Sequence, residues 1–304
     1  MSGGSKEQAQ AARSSVLVVP AADRAGIVVA GKDRSSWLNG LVTCNLATLG
    51  PRDAAYGLLV EKKGRIQTDL FVVPSDKETV VLAVPSGRRE ELVAALDHYL
   101  IMEDAELSLG TLSFYVAHGP KAQALVGLAS VGGAVDVFGT GGAVLACEQA
   151  DKAAFEERLR SEVETLGGVM GDESGWEAVR IERGIPRFGV EVDTSFYPQE
   201  ASLEKLAVSF DKGCYLGQEV VYMLQNRGHV KQKLVPLAIE GGEPPASGTE
   251  ITTLAGDRVG EVRSSTAGAF HGTPAAIGMV KWAHANPGTE LRVAGRVARV
   301  GELA

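Results

Sequence analysis

From about Lys233 to Ala304 the apolar residues fall into short runs separated by turn-forming Gly, Pro, Asn and Asp, with almost no helical spacing. Short strands of that kind must close on themselves to hide their edges, so the segment reads as a small β-barrel. Gly241-Gly242-Glu243-Pro244-Pro245 is its most linker-like stretch.

Upstream the pattern differs. Val16–Val19 and Ile27–Ala30 read as strands parted by a turn, and Ser35 or Ser36 can cap a short helix starting near Trp37. Ala54–Val60 and Ile66–Pro74 flank Glu61-Lys62-Lys63-Gly64, a hairpin signature. Thr79–Val84 is a further strand, and Arg88–Tyr99 places Leu92, Ala95, Leu96 and Tyr99 on one helical face. Strand, helix, strand and helix then follow at Leu112–Ala117, Pro120–Leu128, Ala143–Cys147 and Lys152–Glu164. Such alternation predicts an α+β core layered by helices. The expected division is a frayed polar tail over 1–14, the core over 15–232 and the barrel over 233–304.

A formal net charge of -8 gives no strong nucleic-acid signal, because phosphate contacts dominate that affinity. No apolar run approaches the ~18 residues of a membrane span. Cys44, Cys147 and Cys214 are widely spaced, which argues against a metal ribbon or a disulfide framework and predicts a cytoplasmic setting. The histidines His98, His118, His229, His271 and His284 show no metal-ligand spacing, so no metal is expected.

The most distinctive stretch is Asp211-Lys212-Gly213-Cys214-Tyr215-Leu216-Gly217-Gln218-Glu219. Two glycines bracket the cysteine, allowing a tight turn, and a neighbouring lysine favours thiolate. A buried, unreactive thiol before a helix is the competing reading.

Lys-Gly-Cys-Tyr-x-Gly-Gln-Glu resembles the signature of the YgfZ family of folate-binding proteins, relatives of the glycine-cleavage aminomethyltransferase. Further similarities run in order along the chain: Trp37–Asn45, Gly64–Leu70, His118–Ala122, Val179–Pro186, Ala276–Val280 and Pro287–Leu291. The resemblance implies two interwoven lobes plus a C-terminal barrel, with tetrahydrofolate or a one-carbon derivative as ligand. It also implies a part in maintaining iron–sulfur client proteins, in a family tied to tRNA modification, with Cys214 as the reactive residue.

By the same resemblance Glu182 contacts the pterin ring, where a carboxylate can accept two hydrogen bonds. An exposed ion pair with Arg180 or Arg183 is the alternative. Lys212, Tyr215 and Gln218 of the motif are carried over as ligand-binding residues. Asp69 matches an aspartate that handles protons in the transferases. Thr68 stands where they have a second acid, so one-carbon transfer to folate is the second reading and a non-catalytic scaffold the third. Arg227, His229, Lys231 and Lys233 alternate, which predicts one basic strand face. That face is either simply solvated or an anchor for the glutamate tail of folate, Arg227 included.

Overall fold

The computed structural model describes residues 4–75, 78–137, 139–269 and 272–301; His271 lies outside them. The architecture is α+β: two five-stranded sheets, a closed six-stranded barrel, and helices packed around and between them.

One sheet contains β2 (Arg24–Ala30), β3 (Ala55–Val60), β4 (Ile66–Pro74), β5 (Thr79–Pro85) and β6 (Glu106–Gly110), in the order β3-β4-β5-β2-β6. The other contains β1 (Leu17–Pro20), β7 (Leu112–His118), β8 (Val131–Ala134), β9 (Gly142–Glu148) and β10 (Val169–Met170), in the order β10-β1-β7-β9-β8. Since β1 pairs with β7, the whole first sheet is an excursion between two neighbouring strands of the second. The lobes are therefore interwoven, and residues 21–23 step from one sheet into the other.

Helices α2 (Arg34–Asn39) and α3 (Arg89–Asp97) cover the first sheet, and α4 (Lys152–Thr165) covers the second. Residues 122–128, a predicted helix, form a 3-10 segment. The hairpin β3–β4 turns through Gly64 at φ 78°, where the Gly64 N–H donates to Glu61 O at 2.7 Å.

The first helix, α1 (Ser5–Ser14), corrects the expectation of a frayed tail over residues 1–14. Its buried face is Gln8, Ala9, Ala11 and Ala12, small enough for close packing on α5 (Glu173–Arg183). A Cβ on Gly175 would stand 1.7 Å from Gln8 Oε1, so the glycine permits the crossing. Composition hid this helix because Ala, Gln and Ser carry little hydrophobic signal.

Helix α5 is sharply bounded. Asp172 accepts hydrogen bonds from Ser174 N and Gly175 N at its start, and Gly184 takes a left-handed φ of 73° at its end. It packs on β1 and on three barrel strands, so it lies between the sheets and the barrel. Two short helices follow, α6 (Glu204–Ala207) and α7 (Gln218–Asn226).

The barrel is β11 (Gln232–Ile239), β12 (Glu250–Thr252), β13 (Arg258–Thr266), β14 (Ala275–Lys281), β15 (Glu290–Val293) and β16 (Arg296–Val300), closed in the order β11-β14-β13-β12-β15-β16. Its interior has its own core, including Val235, Leu237, Ile251, Val262 and Val280. Leu234, Ile277 and Met279 instead join the core that spans both sheets. No helix among the described residues is long and apolar enough to cross a membrane.

Candidate functional site

The step from β1 into β2 opens a cleft at the seam of the two sheets. Pairing of β1 with β7 sets Val19 opposite Val116 and Leu17 opposite His118. On the hairpin, Tyr56 is paired with Phe71, and Asp69 lies two residues from Phe71, so the three side chains share one sheet face. Helix α5 closes the cleft with Glu173, Trp176 and Arg180, spaced three and four residues apart on one face. With Ile185, Pro186 and Arg187 these residues enclose about 830 Å³ of empty space, counted out to solvent.

One wall is polar. Arg24 donates from Nη1 to Asp69 Oδ1 at 3.0 Å and from Nη2 to Oδ2 at 2.7 Å, a two-pronged ion pair. Tyr56 donates its hydroxyl proton to Oδ2 at 3.0 Å. Burial, then the neighbouring Asp69 charge, pushes the Tyr56 hydroxyl well above its ordinary range. Burial works against the Arg24 charge, but Asp69 outweighs it, and the guanidinium holds its proton more tightly than usual.

The lining also holds an aromatic pair: the His118 ring stacks on Trp176 with centroids 4.4 Å apart and planes 12° from parallel. Burial pushes His118 down to about 3, so it is neutral at physiological pH. At the rim Arg187 bonds Asp23 at 3.0 Å, Glu173 at 2.9 Å and Glu177 at 3.1 Å. Below it the fully buried Arg180 joins Glu177 to Glu191, and Ser264 of the barrel donates to Glu191.

Of the residues given a catalytic or ligand-binding role from the sequence, Asp69 is the one in this cleft. Thr68 projects from the other face of β4 and is buried, donating to the Asp69 carbonyl at 3.0 Å. Glu182 is buried on α5 but is not part of the cleft lining, being two residues, or about 200° around the helix, from Arg180.

Cys214, Lys212, Tyr215 and Gln218 come together elsewhere, in the loop entering α7. Cys214 is solvent-exposed, whereas Cys44 and Cys147 are buried. Lys212 does not flank the thiol as the spacing predicts. Its ammonium turns inward and donates to the carbonyls of Asn39, Val42 and Cys44 at 2.6, 2.9 and 2.6 Å. Asn39 ends α2, and Val42 and Cys44 lie in the segment just beyond it, so one lysine joins the helix end to the turn that follows. Tyr215 is buried beneath it, its ring centroid 5.4 Å from the ammonium. Gln218 Oε1 accepts from Tyr215 N at 3.3 Å and the Leu216 N–H donates to Gly40 O at 3.0 Å, which ties the loop down around an outward-facing thiol.

The predicted basic strand face is also corrected. Helix α7 runs to Asn226, so Arg227 caps its end and residues 228–231 form a connector. His229 stacks on Trp282 at 4.3 Å, and Lys233, in β11, pairs with Glu204 at 2.7 Å. Arg227 lies outside the cleft lining. Among the described residues no group of His, Cys, Asp and Glu is arranged to hold a metal ion.

The model of the GCVT N-terminal domain matches residues 1–137, and that of the glycine cleavage T-protein C-terminal barrel domain matches residues 232–300. A tRNA-modifying protein YgfZ from Photobacterium profundum is 27% identical over 244 residues, covering 76% of this chain and 72% of its own. The chain is a YgfZ-type relative of the glycine cleavage T-protein. An aminomethyltransferase of Streptomyces coelicolor is 24% identical over 315 residues, covering 95% of this chain and 84% of its own. In structure, the aminomethyltransferase of Bartonella henselae superposes with a TM-score of 0.83 at 18% identity, over 99% of this chain and 89% of that one. That likeness concerns the fold.

In this YgfZ-type chain the sequence motifs reach the cleft at Asp69, His118, Arg180, Ile185 and Pro186, but only Asp69 was assigned a role there. Arg24, Tyr56, Trp176 and Arg187 fall in none of those motifs, and His118 opens one of them without having been given a role in a site. Arg24 is 45 positions from Asp69. Sequence spacing carries no trace of that pair, since it is the strand order of the first sheet, with β4 and β2 on either side of β5, that brings the two within reach.

Proposed function

We propose that this protein binds tetrahydrofolate, or a one-carbon derivative, in the cleft at the sheet seam and supports iron–sulfur enzymes through the exposed Cys214. The observation that carries the ligand reading is the cleft itself. Its lining combines a hydrogen-bonding Arg24–Asp69–Tyr56 set, the stacked His118–Trp176 pair and apolar side chains such as Val19, Phe71 and Ile185. A flat heterocycle with polar edges fits such walls. The family relationship points to folate among such molecules.

Binding suits the geometry better than one-carbon transfer. Asp69 already accepts from Arg24 at both oxygens and from Tyr56, whereas a general base must reach the proton it takes. Cys214 is separate from the cleft lining, so its reaction is with something at the surface.

Calorimetric titration with tetrahydrofolate tests the site. Wild type binds with micromolar affinity or better, ~8 kcal/mol, and Trp176→Ala weakens it at least about tenfold by removing the stack. Binding lost only in Glu182→Ala moves the site elsewhere; no binding at all ends the folate reading. For Cys214, the readout is iron–sulfur enzyme activity in cells under oxidative stress, which Cys214→Ala lowers if the thiol is the working group.

A further inference from the structure

Each sheet has two end strands, and the chain covers three of these four edges itself. Along β3, Val42 bridges Leu59 and the Thr43 N–H donates to Leu58 O at 2.9 Å. Along β8, the Ala134 N–H donates to Arg52 O at 2.7 Å and the Ala54 N–H donates to Ala134 O at 2.8 Å. Strand β10 has two residues and lies against α1 and α4. Strand β6 differs. It pairs with β2 on one side, and among the described residues nothing bridges the other. Its sequence, Glu-Leu-Ser-Leu-Gly, holds no proline that would block pairing. Such an edge presents unpaired N–H and C=O groups to any strand that can match it.

The ends of β6 match each other. Glu106 opens the strand, exposed and without an ion pair among the described residues. At the other end Arg89 donates to the Gly110 carbonyl at 3.3 Å. Antiparallel pairing of two identical strands centred on Ser108 sets Glu106 of each opposite Gly110 of the other, beside the Arg89 bound there. Leu107 then falls opposite Leu109. Both point to one sheet face, where Leu107 packs on the core that α2 and α3 cover and Leu109 is half exposed. Just before the strand, Ile101 and Met102 are 84% and 92% exposed, and the same two-fold axis carries them toward the Leu109 end of the other copy.

We propose that the open edge of β6 is an interaction surface whose partner is a second copy of this chain, so that the two first sheets continue into each other. The contact is isologous: both copies give the same residues, and each end carries a Glu106–Arg89 pair. The surface is separate from the ligand cleft, whose lining includes no residue of β6. It also leaves Cys214 free. The loop of that thiol is anchored on the β3–β4 turn, and four inter-strand steps of about 4.8 Å part β3 from β6. The inference therefore stands whether or not folate is the ligand.

The test is sedimentation equilibrium of the full chain from micromolar to hundreds of micromolar, with amide exchange of residues 106–110 followed over the same range. Wild type passes from monomer to dimer, and the β6 amides exchange more slowly as the dimer forms. Glu106→Lys or Arg89→Glu alone sets like charges face to face and weakens dimerisation at least about tenfold, and the two together restore it. Leu109→Lys weakens it as well, with the circular dichroism melt showing that the variant is folded. Wild type that stays monomeric throughout overturns the proposal and leaves the edge to solvent or to a segment of another protein. A dimer unmoved by the single charge changes, or one whose β6 amides exchange as fast as in the monomer, overturns it too by placing the contact elsewhere. The wild-type exchange measurement stands whether or not a variant folds.

Discussion

Lys212 and His118 show how far a residue's surroundings redirect its chemistry. Lys212 clamps three backbone carbonyls, so Lys212→Ala costs about 2–4 kcal/mol in denaturant unfolding, because buried acceptors lose their donor. Ligand affinity in the cleft stays unchanged, since the ammonium lies outside it. His118 is held neutral by burial, its value at about 3 in the folded chain against about 6.5 when unfolded. Between those values the unfolded chain binds the extra proton, so stability falls as the pH drops through 6.5 toward 3 and levels off below. The loss from this residue alone is about 2 kcal/mol from pH 7 to pH 5. His118→Phe flattens the unfolding free energy across that interval. Of the site residues, Asp69 was legible because it falls in a local motif. Arg24 was not, because nothing in the sequence near either residue encodes their meeting.

At the scale of elements, the hairpin β3–β4 and helix α7 support one another. Gly217, in the left-handed region at φ 75°, begins α7, and a Cβ there would stand 2.3 Å from the Glu61 carbonyl in the hairpin turn. Gly217→Ala therefore both strains the backbone and pushes the turn away, at about 1–3 kcal/mol. The accompanying sign is a change in the alkylation rate of Cys214, whose loop this contact anchors. Helix α1 offers a second test. A chain starting at residue 15 uncovers the α5 face that Ala9 and Ala12 bury, and its melting temperature drops by several degrees. The hairpin and most sheet strands were readable from alternation and turn residues. The Ala-rich α1 was not, because its packing depends on the glycine it meets on α5. The basic run from Arg227 misled because period-two spacing is also compatible with a helix end followed by a connector.

At the scale of the whole molecule, the barrel is joined to the sheets through α5 and a shared core. Leu234, Ile277 and Met279 belong to that core, and Ser264 reaches Glu191, which holds the buried Arg180. Residues 232–301 expressed alone consequently expose an apolar face and bind a hydrophobic dye, while the full chain unfolds in one transition. Coincident unfolding curves from fluorescence and circular dichroism check this. The interwoven sheets also bear on how the molecule is made. Strand β1 finds its partners only when His118 and Val169 have been synthesised. Arg187, the last residue of the cleft lining, follows later still. The cleft has no complete lining until Arg187 has been made, so any molecule that fits it can reward only the finished crossing of the two lobes.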